Sequence, residues 1–307
     1  MSDQFTFPLA SFIPFRDEAE CARVRAITRD QITEHPNPEF EIRIIDTKPH
    51  FYFHFALDFV SRIEQALEEG RDLVAILPVG PVPQFYYAAE LINSRKLSCK
   101  HLTTFIMDEY ADDEGNTAPL SWPGSFQRAM RDNFFDLLDP DLRPSDDKIH
   151  APTSDIVADY RQMIADLGGA DICYGGIGWG GHIAFWEPQL GDVYGDDLGA
   201  YRAARAQLVE LHPMTIMQNA LHSFGGDWSM VPPKATTIAP ADILGAKHRS
   251  FWLDGYLGEG ISWQRFIARL VAHGPVNTHV PGSILQETNT TYTLLGGVAD
   301  DLEVAMA

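Results

Sequence analysis

The sequence carries two acidic residues and a histidine that are suited to proton transfer. Asp108 follows the apolar segment HLTTFIM directly, and His182 and Glu187 lie five residues apart behind the glycine-rich segment GGIGWGG. A histidine titrates near neutral pH, and a carboxylate that is partly removed from water can act as a general base. These residue types therefore indicate acid–base chemistry on a small molecule.

The segments around these groups alternate between short apolar runs and longer amphipathic runs. Strands are predicted at 41–46, 72–80, 101–107, 171–178, 234–238, 250–255 and 291–297, and helices at 18–34, 55–69, 83–95, 124–138, 154–168, 241–247 and 261–272. Strands separated by helices indicate βαβ crossovers. We therefore predict an α/β fold with a doubly wound, mostly parallel sheet, helices on both faces, and one domain over residues 1–307.

Three of these predicted strands end in segments of unusual composition, namely LPVGPVP (77–83), FIMDEYADDEG (105–115) and GGIGWGGHIAFWEP (175–188). Ligands of open α/β sheets bind at the carboxyl ends of the strands. The third segment satisfies the dinucleotide pattern GxGxxG, but Pro188 comes too early for the long helix of that motif, and no acidic strand end follows about 20 residues later. We expect instead a glycine loop that lets a ligand approach the backbone beside His182 and Glu187.

The composition excludes several classes of protein. Lys and Arg total 23 against 43 for Asp and Glu, which gives a net charge of −20 with no basic run, so we expect no nucleic-acid partner. No apolar stretch reaches the length of a membrane span, the N-terminus lacks the pattern of a signal peptide, and three widely spaced cysteines fit a reducing compartment. A cytoplasmic protein without a membrane partner is expected.

Other motifs of catalysis or metal binding are weak in this sequence. His50 and His54 have the spacing of a metal pair on a helix, but no third ligand lies nearby, so packing of an aromatic-rich helix is the favoured interpretation and no metal is predicted. GxSxG, Walker and HExxH motifs are absent from the sequence, which argues against serine hydrolases, P-loop proteins and zinc proteases.

Taken in order, the three strand-end segments resemble motifs of the glucosamine-6-phosphate deaminase (isomerase/deaminase) family, which is related to the 6-phosphogluconolactonases. LPVGPVP resembles the family's phosphate loop LPTGGTP, TTFIMDEY resembles TFNMDEY, and GGIGWGGHIAFWEP resembles GGIGxDGHIAFNEP. The resemblance extends from about residue 72 to residue 297. It implies the single-domain Rossmann-like α/β fold of that family and a reaction that needs no cofactor.

The resemblance also implies roles for individual residues. Asp108 would move the proton between C2 and C1 of an open-chain sugar, and His182, oriented by Glu187, would help to open the sugar ring. The remaining matched positions would contact the sugar: Val79, Gly80, Pro81, Glu109, Gly178, Gly180 and Gly181.

Several positions depart from the family pattern. Gly180 stands where the family has an Asp two residues before the His, and Trp186 stands where it has an Asn. In the phosphate loop, valines replace both hydroxyl residues, at Val79 and Val82, and Pro81 replaces a glycine. Valine has no hydroxyl and proline no N–H, so this loop offers fewer hydrogen-bond donors to a phosphate.

The cations that bind phosphate in the family are also missing. On a loose alignment they fall near Thr215 and Gly258, and neither LHPMTIMQN nor LDGYLGEG contains a Lys or Arg. We therefore predict an aldose–ketose isomerase, with or without deamination, that acts on an amino sugar or related sugar lacking the 6-phosphate.

Four alternatives stay open at this point. The chain could be a glucosamine-6-phosphate deaminase proper, with Arg202 or Arg205 supplying the missing cation. It could also be a lactonase-like hydrolase, a non-catalytic sugar-sensing homologue, or an inactive homologue because of Gly180. A small sugar is the expected partner, and a homo-oligomer is expected.

Overall fold

Strands and helices alternate along the part of the chain that the computed structural model describes, residues 7–304. The strands are β1 (Phe40–Ile45), β2 (Leu73–Leu77), β3 (Leu102–Ile106), β4 (Asp108–Ala111), β5 (Ile149–His150), β6 (Ile172–Gly175), β7 (Gln207–Glu210), β8 (Lys234–Thr237), β9 (His248–Leu253), β10 (Tyr256–Gly258), β11 (Ile261–Ser262) and β12 (Thr290–Leu295). The helices are α1 (Glu18–Arg25), α2 (Lys48–Glu68), α3 (Pro83–Arg95), α4 (Phe126–Asn133), α5 (Tyr160–Asp166), α6 (Gly191–Tyr194), α7 (Leu198–Arg202), α8 (Pro213–Ser223), α9 (Pro240–Leu244), α10 (Arg265–His273) and α11 (Gly296–Ala299).

The main sheet has seven strands in the order β1-β12-β9-β6-β2-β3-β5, and every neighbouring pair is parallel. Every residue of β2, β3, β6 and β12 is buried, as expected for strands covered on both faces. The predicted α/β fold class with a mostly parallel sheet is therefore confirmed.

The strand order reverses direction beside β2. From β2 the chain adds β3 and β5 on one side, whereas β6, β9 and β12 follow on the other side. Leu77 pairs with Ile106, and Ile76 pairs with Cys173, so the three carboxyl ends lie next to one another. A doubly wound sheet binds its ligands at such a reversal. The three sequence segments singled out above all begin here.

A second, antiparallel sheet has the order β4-β8-β7, and it corrects two expectations. The residues after Met107 were expected to form a polar loop, but Asp108 to Ala111 continue as β4. The strand expected at 234–238 forms as β8, outside the parallel series, because it pairs with β4 and β7. The helix α8 and the strands β5 and β7 were not predicted.

Several helices differ from their predicted bounds. The first covers only Glu18–Arg25 of the predicted 18–34, with Asp17 accepting the N–H of Glu20 at 3.0 Å as its N-cap. The helix predicted at 55–69 already begins at Lys48, because Pro49 suits the first turn of a helix. It ends before Gly70, as predicted, where φ is +67°.

The core around the main sheet is rich in aromatic side chains from α2. Phe51, Phe55 and Phe59 lie one turn apart and are fully buried. The ring centroid of Phe55 is 4.8 Å from that of Tyr174 on β6, and the centroid of Phe51 is 5.2 Å from that of Trp252 on β9. These contacts fix α2 against the strands that carry the site loops.

A second, smaller core joins the antiparallel sheet to α8 and to the loop after β6. It contains Tyr110 of β4, Ala235 of β8, Ala220 of α8 and Phe185. The ring centroids of Tyr110 and Phe185 are 5.6 Å apart. The strand that begins with Asp108 is thereby packed against the loop that contains His182.

Two further features concern the cysteines and the lengths of the helices. Cys21, Cys99 and Cys173 are unpaired and buried. Among residues 7–304, no helix is both long enough and apolar enough to cross a membrane. The single domain predicted over residues 1–307 stays a prediction, since both ends of that range lie outside the described residues.

Candidate functional site

Asp108 is the first residue of β4, two positions beyond the end of β3. Its side chain is only 8% exposed, and its carboxyl group accepts no hydrogen bond from the described residues. Burial, together with the neighbouring Glu109 carboxyl, raises the pKa of Asp108 to about 8. A carboxyl group that is buried and unpartnered is free to exchange a proton with a ligand.

Glu109 was expected to contact the sugar, and its carboxylate is engaged by the protein itself. Its carboxylate accepts hydrogen bonds from the N–H groups of Tyr110, Phe126 and Gln127 at 2.9–3.0 Å, and from the Ser125 hydroxyl at 2.9 Å. Four donors fill both oxygens, and the side chain is fully buried at the N-terminus of α4. Glu109 thus anchors α4 to β4, as an acidic group at a helix N-terminus favours.

Thr237 links Asp108 to the loop after β6. It pairs with Asp108 in the β4–β8 ladder, and its hydroxyl oxygen accepts the N–H of Phe185 at 3.0 Å. Asp108 also raises the pKa of Glu187, which shows that the two carboxyl groups lie within electrostatic reach. The structure therefore brings Asp108, His182 and Glu187 to the same edge of the sheet.

The glycines of the loop after β6 make room for the histidine. A Cβ atom on Gly178 would lie 1.9 Å from Nε2 of His182, so only glycine fits at this position. Gly181 has φ +85°, a conformation that favours glycine. The Gly178 N–H donates to the His182 carbonyl at 2.9 Å and closes a tight turn. Gly180 contributes no side chain, and a Cβ there would contact Pro188 at 3.1 Å.

A threonine bridges His182 and Glu187. The Thr215 hydroxyl donates to Oε2 of Glu187 at 2.9 Å and lies 3.0 Å from Nδ1 of His182, while the direct distance from Nδ1 to Oε2 is 3.5 Å. Thr215 is fully buried in the first turn of α8. Its position is fixed by His212, the N-cap, whose ring accepts the N–H of Met214.

The bridge determines which nitrogen of His182 carries a proton. When Glu187 is ionised, its oxygen can only accept, so Thr215 donates to Glu187 and must accept from Nδ1–H. Nε2 of His182 then holds the lone pair and can take a proton. When Glu187 is protonated, both hydrogen bonds can reverse, and Nε2 becomes the donor. The three residues therefore form a proton relay with two directions.

Burial controls the charge of this relay. Burial, with a smaller contribution from His212, lowers the pKa of His182 to about 3. Burial raises the pKa of Glu187 to about 8, although the Thr215 hydroxyl acts in the opposite direction. At neutral pH the free site thus holds a neutral imidazole and a largely protonated carboxyl, and Glu187 ionises as the pH rises through 8.

The loop after β2 borders the same edge. Val79 is buried, Gly80 is exposed, and Pro81 and Val82 are half-buried. Within residues 7–304, the N–H groups of Val79, Gly80 and Val82 donate to no backbone carbonyl. The loop can therefore offer neutral amide donors to a ligand but no hydroxyl.

The two arginines that could replace the missing cations, Arg202 and Arg205, interact with acidic residues of the protein. Arg202 forms an ion pair with Glu287, and the exposed Arg205 lies within electrostatic reach of Asp242. Lys48, at the start of α2, is exposed and acts electrostatically on His222, which lies at the end of α8. Gly258 lies in the β10–β11 hairpin with φ +108°.

Three other residues that the sequence singled out lie outside this arrangement. Trp186 is fully buried, and its ring contacts Tyr194 and Tyr201 in the core. His50 and His54 are both exposed on α2, whereas Phe51 and Phe55 of the same aromatic-rich helix start are buried in the core. Within the described part of the chain, no group of three or more His, Cys, Asp or Glu residues could hold a metal ion.

Thr215 is the functional residue that the sequence did not reveal. The position drew attention only because a family cation is missing there. Its contact with His182 and Glu187 depends on how α8 packs over the loop after β6. A hydroxyl residue in the first turn of a helix is too common to signal such a role.

Known proteins resemble this chain in both sequence and fold. No family model matches the chain. The chain is 34% identical over 202 residues to a glucosamine-6-phosphate deaminase of Caenorhabditis elegans, which covers 64% of this chain and 69% of the relative. It is 32% identical over 237 residues to glucosamine-6-phosphate deaminase 2 of Bacillus subtilis, covering 74% and 84%.

Solved structures show the same fold. A monomeric glucosamine-6-phosphate deaminase of the NagB superfamily aligns with a TM-score of 0.70 at 24% identity, covering 84% of this chain and 98% of that one. A 6-phosphogluconolactonase from Trypanosoma cruzi aligns with a TM-score of 0.60 at 16% identity, covering 88% and 100%. Together with the sequence relatives, these similarities show that the chain belongs to the glucosamine-6-phosphate deaminase family and is an isomerase-type enzyme of that family.

Proposed function

We propose that the protein is an aldose–ketose isomerase, with deamination when the sugar carries a 2-amino group, and that its substrate lacks the 6-phosphate. The observation that carries the proposal is the arrangement at one edge of the sheet. An unpartnered buried carboxyl group, Asp108, lies within electrostatic reach of Glu187, which joins the histidine relay through Thr215. Relatives named glucosamine-6-phosphate deaminases support the same reaction class.

Asp108 supplies the base of the isomerisation. In its ionised form it takes the proton from C2 of the open-chain sugar and returns it to C1, while a second proton passes from the hydroxyl or amino group on C2 to the oxygen on C1. The double bond to the heteroatom thereby moves from C1 to C2. If C2 carries an amine, the product is an imine, and addition of water releases ammonia and leaves a ketose. Because burial raises the pKa of Asp108 to about 8, its base form increases as the pH rises toward that value.

The relay of His182, Thr215 and Glu187 opens the sugar ring. Ring opening removes a proton from the hydroxyl on C1 and delivers one to the ring oxygen. Nε2 of His182 can do both, since the direction of its hydrogen bonds follows the protonation of Glu187. Thr215 gives His182 a hydrogen-bond partner although position 180 has no side chain. The glycine at position 180 is therefore compatible with activity.

The absence of a 6-phosphate follows from the donors that the site can offer. A phosphate dianion that leaves water needs charge-assisted hydrogen bonds, which are roughly twice as strong as neutral ones. The loop after β2 supplies only amide N–H groups, and the position near the family's arginine is occupied by Thr215, whose hydroxyl is engaged in the relay. A hydroxyl or apolar group at the end of the sugar loses much less on entering such a site.

Replacement of Asp108 by asparagine tests the assignment of the base. We expect Asp108→Asn to lower the turnover of free glucosamine, measured as ammonia release, by about a hundred- to ten-thousandfold. The variant should be folded and gain stability relative to the parent as the pH rises. Because the pKa of Asp108 is raised from its ordinary value of 3.8 to about 8 in the folded protein, the parent loses stability as the pH rises from about 3.8 to about 8. Asparagine does not ionise, so the variant is spared this loss. Unchanged turnover would assign the base elsewhere.

Replacement of Thr215 tests the relay. We expect Thr215→Val to lower kcat roughly tenfold, the equivalent of one hydrogen bond, whereas Thr215→Ser retains the hydroxyl and most of the activity. The hydroxyl lowers the pKa of Glu187. Removal of the hydroxyl should therefore also move the part of the pH–rate profile that reports the ionisation of Glu187 to higher pH. Equal pH profiles in the parent and the valine variant, with thermal unfolding unchanged, would reduce Thr215 to a packing residue.

Calorimetric titration tests the absence of the phosphate. Using Asp108→Asn to prevent turnover, we expect free glucosamine to bind at least as tightly as glucosamine 6-phosphate. The comparison is repeated with Lys48→Met, since Lys48 is the exposed cation at the start of α2. Clearly tighter binding of glucosamine 6-phosphate contradicts the proposal. If Lys48→Met then abolishes this preference for the phosphate, Lys48 is the substitute cation of an ordinary sugar-phosphate deaminase.

A further inference from the structure

An accessible set of aromatic rings lies beside the candidate site. It consists of Trp179, Trp263 and His222, which we call the aromatic shelf. The ring centroids of Trp179 and Trp263 are 6.2 Å apart, and those of His222 and Trp263 are 5.3 Å apart. Trp179 is 39% exposed, Trp263 is half-buried and His222 is exposed, so these rings can still receive a ligand.

The shelf is attached to the site through the backbone. Trp179 directly follows Gly178, whose Cα lies against the His182 ring. The backbone N–H of Trp179 donates to the side-chain oxygen of Gln218 on α8 at 2.7 Å. On the other side, Gln264, which follows Trp263 in the chain, donates its side-chain amide N–H to the carbonyl of Ile177 at 2.5 Å. A ligand that contacts His182 is therefore within reach of Trp179.

A carboxylate and an unpartnered indole N–H accompany the rings. Asp254 lies at the end of β9 and accepts the Tyr52 hydroxyl on one oxygen at 2.8 Å, while its other oxygen accepts nothing from the described residues. The next residue, Gly255, accepts the Trp263 backbone N–H at 3.2 Å. Nε1 of Trp263 is buried and has no acceptor among the residues described. One acceptor and one donor thus remain unused beside the shelf.

These groups match one class of ligand. The faces of indole rings favour contact with the C–H face of a sugar, because they are large, apolar and slightly negative. The free oxygen of Asp254 can accept from a sugar hydroxyl, and Nε1 of Trp263 can donate to one. A phosphate group would be repelled by Asp254. Lys48 and Asp254 both act on His222, so the surroundings carry charges of both signs.

We propose that the aromatic shelf and Asp254 form a subsite for an uncharged sugar ring, which stacks on Trp179 or Trp263. The subsite rests on the proposed function in that it extends the same sugar-binding cleft. The aromatic shelf would recognise the sugar where the cations that bind phosphate in the family are missing. The specificity at this subsite is then for polyhydroxylated rings without a phosphate.

Ligand-observed NMR with methyl β-D-glucopyranoside tests this subsite. This glycoside is uncharged and cannot open its ring, so its binding does not require catalysis. We expect saturation transfer to the sugar from the parent protein, and roughly tenfold weaker binding in Trp179→Ala and Trp263→Ala. Trp179→Phe should retain part of the affinity. Trp228→Ala is the matched control, because Trp228 is 62% exposed and has no ring contact with the shelf.

The outcomes separate this inference from the proposed function. Absence of binding to the parent, or equal binding by the Trp179, Trp263 and Trp228 variants, overturns the subsite. Tighter binding of tetramethylammonium than of the glycoside, lost in Asp254→Asn, also overturns it in favour of an ammonium cage. Glycoside binding that persists in Asp108→Asn supports the subsite by itself. If the parent then turns over no sugar, only the proposed reaction fails.

Discussion

The hydrogen bonds of the Thr215 hydroxyl are the interaction on which the rest of the site depends. A buried imidazole and a buried carboxyl group cannot both be left unpaired without a large desolvation cost. One hydroxyl gives each of them a partner, because it can donate to Oε2 of Glu187 while it accepts from His182, or the reverse, and Oε1 of Glu187 stays without a partner among the described residues. The surrounding structure serves this contact. Gly178 leaves room for the ring, and His212 fixes the first turn of α8.

The charge of the site follows from its burial rather than from the composition of the chain. Although the chain carries −20, Asp108 and Glu187 both have pKa values raised to about 8, so the free site is close to neutral at pH 7. A neutral site does not reject an anion by repulsion alone. In the function proposed above, the missing positive partner makes a phosphate unfavourable, whereas Trp179, Trp263 and Asp254 offer contacts that an uncharged ring can use.

The sequence was sufficient to predict six of the seven strands of the parallel sheet, all except the two-residue β5, and the meeting of their carboxyl ends. Apolar runs identify strands buried on both faces, and a parallel sheet places their ends at one edge. The same reasoning could not assign Glu109, because three of its four donors come from residues that reach it only when α4 packs against β4. Thr215 and the aromatic shelf were missed for the same reason. Trp179 and Trp263 meet only in the folded chain.

Proton exchange at C2 of the sugar tests the central claim most directly. The protein is incubated in D2O with free glucosamine and, separately, with glucosamine 6-phosphate, and the C2–H signal is followed by NMR. If Asp108 and the relay catalyse isomerisation of an unphosphorylated sugar, the C2 proton of free glucosamine should exchange at least as fast as that of the phosphate. The absence of exchange with either sugar, or exchange with the phosphate alone, would contradict the account.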